Sequence, residues 1–288
     1  MPAAMPNAND EKGTTPFLRW AGSKRQLLPV LSQYWSDEYD RYVEPFAGSC
    51  SLFLTLAPER AVLADKNEEL IHTYRIVRHR WREVYDGVRV LPRNGDTYRR
   101  LRAKDPTRLR GVERAIRFVY LNRNCFNGLY RTNREGAFNV PYSSSRTGAL
   151  PPADVFEECA RLMRSARLRA WDFGTTLRYT SEGDFVYLDP PYAVETRRVF
   201  REYGPKQFSK TDLGRLSDHL DRLDDRGVVF LLSYADCAAA RKRFKKWSTR
   251  RIRVRRHIAG FQGARRRAFE LLVSNRAHPR SNRRRAGA

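Results

Sequence analysis

The sequence predicts an α/β protein built on a buried sheet, and three observations carry that prediction. Short apolar runs bounded by glycine or proline alternate with stretches whose apolar residues recur every three or four positions, the strand and helix signatures of a layered α/β domain. Several of the apolar runs end in polar residues: Asp65 after 60–64, Asp189 after 184–188, and Ser233, Tyr234 and Asp236 after 228–232. Open α/β sheets place their ligands beyond the carboxyl ends of strands. Finally, 288 residues, 41% of them hydrophobic, suffice for a sizeable core, as two domains or as one domain with a smaller one inserted.

Charge is the outlying property. Fifty-six Lys and Arg against 32 Asp and Glu give +24, a field that draws polyanions, of which nucleic acid is the commonest for a soluble protein. An arginine-rich surface without such a partner is the plainer reading. Cys50, Cys125, Cys159 and Cys237 are scattered, with no Cys-x-x-Cys pair and no histidine at ligand spacing, so no structural zinc site is expected. No apolar run reaches membrane-span length and the first 15 residues are polar. A cytoplasmic protein follows, with no membrane association.

Residues 1–15 read as a disordered lead-in. From Phe17, the segment Phe17-Leu18-Arg19-Trp20-Ala21-Gly22-Ser23-Lys24 precedes an amphipathic run with Leu27, Leu28, Val30 and Leu31. A Gly-Ser turn therefore opens a helix, with Pro29 confined to its first turn. Lys24 beside the helix start suits an anion; alone, it equally suits a solvated charge, and Trp20 core packing. The run Arg41-Tyr42-Val43-Glu44-Pro45-Phe46-Ala47-Gly48-Ser49-Cys50 reads as a strand and a small-residue turn that admits a ligand close to the backbone. Asp65 ends the next strand, where an acid can accept from both ribose hydroxyls. It reads equally as a cap, with Asn67, for the helix that follows. That helix carries the stripe Leu70, Tyr74, Val77, Trp81 and Val84, with His72 and His79 off it and exposed.

Seven Arg or Lys residues with Pro92, Gly95 and Pro106 over 91–111 mark loops and a change of domain. A helix from Val112 leads into 121–142, where Asn, Arg and aromatic residues alternate across two glycine turns. Asn can bond an adenine edge, Arg a guanine edge or a phosphate, and an aromatic can wedge into a base stack; a polar surface hairpin is the alternative. A connector over 143–152, a helix capped by Asp154, and a strand over 168–173 follow.

The run Asp184-Phe185-Val186-Tyr187-Leu188 then reads as a buried strand. Asp189-Pro190-Pro191-Tyr192 leaves it through a stiff loop, because two prolines fix two φ angles. Residues 193–209 form a basic loop with Arg197, Arg198, Arg201 and Lys206. A helix capped by Thr211 and ended by Gly227, a strand at 228–232, a helix to Trp247, the alternation Ile252-Arg253-Val254-Arg255, a loop with Gly260 and Gly263, and a strand at 269–273 complete the pattern. The tail 276–288 is basic.

Taken as an ordered set, these motifs resemble the Dam-type (alpha group) DNA adenine-N6 methyltransferases over about 16–275: 17–24, 44–53, 65–67, Asn-Gly-Leu-Tyr-Arg, Phe-Asn-Val-Pro-Tyr, 189–192 and 269–275. The resemblance implies a Rossmann-like S-adenosylmethionine-binding sheet over 16–75 and 179–275. An inserted, mainly helical DNA-recognition domain carrying a hairpin would span 76–178. It implies cofactor contacts from Trp20, Lys24, Glu44, Phe46, Gly48, Asp65 and Asp189, DNA contacts from Phe126, Asn127, Arg131 and Pro141, and no metal. Asp189, Pro190, Pro191 and Tyr192 would form the catalytic centre. Asp189 and the Pro190 carbonyl would accept the two amino hydrogens of a flipped adenine, and Tyr192 would stack on the base.

Double-stranded DNA, within GATC, is the implied substrate, and a monomer without an obligate protein partner is expected. Three departures stand out. Cys50 replaces a second glycine of the cofactor turn, Ser23 a glycine of the first motif, and Ser143 to Ser145 follow where an aromatic or basic contact is usual. Cytosine-N4 methylation, and a non-catalytic DNA-binding protein on the same scaffold, are the rival readings; Asp rather than Ser before Pro190 favours adenine.

Overall fold

A computed structural model describes residues 13–133, 135–144, 148–192, 208–255 and 267–279. Most of the lead-in, the basic loop over 193–207, the glycine loop at Gly260 and Gly263, and the tail beyond 279 lie outside the described residues.

Seven strands form one sheet: β1 (Arg41–Glu44), β2 (Ala61–Ala64), β3 (Ala166–Arg169), β4 (Asp184–Leu188), β5 (Val229–Ala235), β6 (Ser248–Arg255) and β7 (Arg267–Ser274). Across the sheet the order is β3-β2-β1-β4-β5-β7-β6. The first five are parallel, and β7 runs antiparallel to both β5 and β6.

Side chains alternate between two cores. Tyr42, Leu63, Phe185, Tyr187 and Leu231 face one, and Val43, Val62, Val186, Leu188 and Phe230 the other. Because both faces are covered, β2 and β4 are apolar through consecutive positions rather than alternately.

The first core is covered by α1 (Leu28–Leu31), α2 (Ser51–Leu56), α3 (Glu68–Arg89), α4 (Gly95–Ala103), α5 (Gly111–Asn124) and α6 (Ala153–Leu162). The second is covered by α7 (Phe173–Arg178), α8 (Lys210–Asp225) and α9 (Ala238–Arg243). Pro29 falls in the first turn of α1, where its missing N–H costs nothing. Leu70, Tyr74, Val77 and Val84 of the α3 stripe are buried. His79 is exposed, but a His72 ring nitrogen lies 3.1 Å from the Gly111 carbonyl oxygen, so His72 ties α3 to the start of α5 instead of facing solvent freely.

Three local expectations shift. The strand expected over 168–173 ends at Arg169, and Phe173 opens α7 instead: the Asp172 carboxylate accepts from the Gly174 amide at 2.9 Å and caps the helix. Trp171 and Phe173 had imitated the alternation of a strand. Ser209, not Thr211, caps α8, because Ser209 and Asp212 bond each other's backbone amides reciprocally. Asp154 lies inside the first turn of α6, after Pro152 at the cap.

Between β2 and β3 the chain detours through α3 to α6 and an irregular hairpin, marked by the antiparallel bridges Thr132↔Phe138 and Cys125↔Tyr142. Here α5 packs on α3 and α4, and α6 on α3. Segment 76–178 also returns β3 to the sheet, as its edge strand. At the centre, Arg41 of β1 forks onto Asp184 of β4, Nε to Oδ1 at 2.9 Å and Nη2 to Oδ2 at 2.6 Å. Strand order reverses between these two strands, opening a crevice at their carboxyl ends. Among the described residues no helix is long and apolar enough to cross a membrane.

Candidate active site

The crevice is a cavity of about 1100 Å³ whose wall includes Trp20, Lys24, Glu44, Phe46, Gly48, Asp65, Asp189, Pro190, Pro191 and Tyr192. Asp189 leaves β4 at its floor. The Asp189 Oδ1 accepts from Lys24 Nζ at 2.7 Å and from Ser233 Oγ, on β5, at 3.0 Å. No donor among the described residues reaches Oδ2, so the carboxylate is oriented through one oxygen with the other left available. Burial pushes the Asp189 carboxyl up, and the Lys24 charge pulls against it. Burial also works against the Lys24 ammonium, but the Asp189 charge, aided by Tyr192 and Glu270, holds it protonated far above neutral pH.

Lys24 also stands 5.3 Å from the centre of the Tyr192 ring. The Tyr192 hydroxyl donates to Glu270 on β7, at 2.8 Å from both carboxylate oxygens. Its ring meets Tyr234 edge-on at 5.3 Å. An aromatic face thus lines the same cavity as Asp189, with Lys24 in reach of both. The anion site expected at Lys24 is instead taken up by an internal carboxylate.

The turn after β1 brings Gly48 against Trp20. A Cβ there would lie 2.8 Å from the Trp20 ring, and the φ of +46° favours glycine. Cys50, at φ +56°, adopts the same left-handed region and starts α2 with its side chain fully buried. Ser23 joins this turn through Ser51, Oγ to Oγ 3.0 Å. Glu44 is almost wholly buried, accepting from the Tyr42 hydroxyl at 3.0 Å, and burial raises its carboxyl well above the usual range.

At the end of β2, Asn67 caps α3 by accepting from the Leu70 amide. Asp65 accepts instead from the Gly48 amide at 3.1 Å and the Asn67 amide at 2.9 Å. It therefore ties two strand-end turns together, and each ionised oxygen keeps capacity for a further donor. Asp172, after β3, lines the same cavity with Phe173. Four adjacent parallel strands, β3, β2, β1 and β4, thus present Asp172, Asp65, Glu44 and Asp189 in a row.

The hairpin closes the cavity from the other side. Tyr130 stacks on Trp20, ring centres 6.0 Å apart and 17° from parallel, and Thr132 and Gly136 join the wall. Phe126, Asn127, Arg131 and Pro141 lie outside the wall, on the hairpin itself. Phe126 is 40% exposed, and its amide donates to the Pro141 carbonyl at 3.0 Å. Asn127 has φ +54°. Arg131 Nε donates to Asn139 Oδ1 at 2.8 Å. Gly128, at φ +65°, lets Arg19 pass where a Cβ would lie 2.6 Å from it.

A family model for D12 class N6 adenine-specific DNA methyltransferases matches residues 20–258, from the first wall residue of the cavity through the whole floor. The chain belongs to this family. Among similar curated proteins, the type II methyltransferase M1.LlaDCHI of Lactococcus lactis subsp. cremoris is 33% identical, covering 90% of this chain and 95% of its own. The DNA adenine methylases of Salmonella typhi and Escherichia coli K12 are 32% and 31% identical, each covering 89% of this chain and 94% of their own. The seven-stranded α/β sheet accords with the fold of S-adenosylmethionine-dependent methyltransferases, and the family implies S-adenosylmethionine as methyl donor and DNA as substrate.

For an adenine-specific DNA methyltransferase, the structure adds residues that the sequence did not single out. Ser233 was visible only as a polar residue after the run 228–232, and nothing local connects it to Asp189. Asp172 and Phe173 were concealed within a strand-like run. Tyr130 sat inside the hairpin motif, with no sign that it meets Trp20.

Proposed function

We propose that this methyltransferase transfers a methyl group from S-adenosylmethionine to the amino nitrogen of an adenine flipped from double-stranded DNA, within GATC. The observation that carries the reading is Asp189 at the end of β4, with Oδ1 held by Lys24 and Ser233 and Oδ2 left open. The cavity fits the donor chemically. A row of carboxylates suits a ligand with a cationic sulfonium, an ammonium and a ribose diol, while Phe46 and Phe173 supply apolar surface. Asp65 would hold the ribose, Glu44, Phe46 and Gly48 would shape the methionine side of the pocket, and Trp20 and Lys24 would meet the cofactor from the first motif. Once bound, the donor supplies a methyl already activated by positive sulfur.

The chain's own residues do the rest by positioning and electrostatics. Asp189 Oδ2 and the Pro190 carbonyl accept the two amino hydrogens of the base, drawing the nitrogen lone pair out of conjugation with the ring. Tyr192 stacks on the flipped base. The proton released by the nitrogen has an acceptor in Asp189, whose basicity burial raises.

Recognition falls to the segment between β2 and β3. Residues 76–178 would act as the DNA-recognition domain, apart from β3 (Ala166–Arg169), which pairs into the sheet. GATC rests on the resemblance of Asn127, Arg131 and Pro141 to the family's hairpin. A monomer in the cytoplasm, associated with DNA, completes the proposal. Incubation of purified protein with labelled S-adenosylmethionine and GATC or scrambled duplexes, followed by nucleoside mass spectrometry, tests it. N6-methyladenine in the GATC duplex alone is expected. N4-methylcytosine, or DNA binding without transfer, would replace it with one of the rival functions.

A further inference from the structure

Tyr192 is held from a distance. Its loop is stiffened by Pro190 and Pro191, but a proline loop fixes backbone and leaves the ring's own torsions to its surroundings. Tyr234 meets the ring edge-on, and the hydroxyl at its tip is held by Glu270, 78 residues further along the chain, whose two carboxylate oxygens both lie 2.8 Å from it. Glu270 sits on β7, between Ala235 of β5 and Ile252 of β6 in the pairing. From Glu270 to Ser274 every residue is buried, and Glu270 itself is 3% exposed. An acid in an otherwise apolar buried strand costs stability unless it is paired and hydrogen-bonded. Lys24, between Asp189 and the Tyr192 ring, supplies neighbouring positive charge.

We infer that Glu270 is a positioning residue for methyl transfer: it clamps the Tyr192 hydroxyl and so presets the ring as the face on which the target base stacks. The inference rests on the proposed function, because it needs a flipped base beside Asp189. It adds a second strand to the site. Ser233 on β5 orients the carboxylate, and Glu270 on β7 orients the aromatic face.

The test uses full-length protein and a duplex carrying 2-aminopurine at the methylated adenine, whose emission is quenched when the flipped base stacks on an aromatic ring. Single-turnover methylation of the unmodified duplex and S-adenosylmethionine affinity are measured alongside. In Glu270→Ala the emission rises and the single-turnover rate falls roughly tenfold, as expected for a misplaced reacting group, while cofactor affinity stays within about twofold of wild type. Glu270→Gln, whose amide oxygen still accepts the hydroxyl, restores the quenched emission. Tyr192→Phe deletes only the clamped hydroxyl and leaves β7 intact, so it reproduces the rise even if Glu270→Ala fails to fold. Combining Tyr192→Phe with Glu270→Ala gives no loss beyond the larger single one.

Wild-type emission and rate in Tyr192→Phe, or losses that multiply in the double variant, would overturn the assignment. Wild-type protein that methylates no adenine would instead remove the functional reading beneath it. Wild type active and Glu270→Ala unchanged removes only the clamp.

Discussion

Asp189 and Arg131 hold their functional groups in different ways, and the contrast runs through the two halves of the molecule. Asp189 hangs from the centre of a seven-stranded sheet, with partners arriving from the first motif and from β5. Tyr192 is gripped from β7, and Asp65 from two neighbouring turns. Arg131 belongs to a hairpin closed by isolated bridges, and its guanidinium is steadied by Asn139 on the same hairpin. The strand-end site is preorganised by residues far apart in sequence. The Arg131 guanidinium is held within the hairpin, beside turns set by Asn127 and Gly128 in the left-handed region. Chemistry at a poorly nucleophilic amine needs the first arrangement, because catalysis there is mostly fixed geometry. Reading a groove suits the second, in which side chains extend from the scaffold to meet base edges.

The sharpest way to break this contrast is at Asp189. Asp189→Ala should lower the methylation rate by about 10²- to 10³-fold or more, the scale of losing a preorganised electrostatic contact, with DNA affinity nearly unchanged in a gel-shift titration. Next in size is Arg41. Removing it leaves the 1%-exposed Asp184 without its fork between β1 and β4, so Arg41→Ala should cost about 3–5 kcal/mol of stability in urea unfolding.

In the hairpin the order of effects inverts. Arg131→Ala should leave the melting temperature alone and cost about 1–3 kcal/mol of discrimination between target and mismatched duplexes. Asn127→Gly sharpens that comparison, since glycine accepts the φ of +54° without strain. Any loss of sequence preference then belongs to the side chain rather than to the turn.

Glu44 yields the smallest effect. Its folded-state carboxyl is raised by burial, so the folded protein holds a proton that the unfolded chain has released. The stabilisation this brings is complete below the ordinary carboxylate range and is lost as pH rises through the raised value. Glu44→Gln should therefore flatten the pH dependence of stability on the alkaline side of that range and raise the melting temperature there, while weakening S-adenosylmethionine binding in calorimetry.

Legibility in the sequence follows the same division. The strand-end residues were visible because each terminates an apolar run of its own: Asp65 after β2, Asp189 after β4. Their order along the chain, joined to the small-residue turn at Gly48, carried the family resemblance, and the hairpin motif was equally local. What escaped was every contact made across the sheet. Ser233 and Glu270 lie on strands whose neighbours only pairing can reveal, and β3 was read two residues late, over 168–173, because Trp171 and Phe173 imitate the alternation of a strand. Helix caps misplaced by two residues, Thr211 for Ser209, reflect competition between adjacent polar side chains that only reciprocal bonding resolves.

Single-molecule sequencing of DNA from cells expressing the protein, beside cells expressing Asp189→Ala, tests the central claim most directly. N6-methyladenine at GATC in the first and none in the second is the expected result. Methylation that persists in Asp189→Ala, or that falls on cytosine, would contradict it.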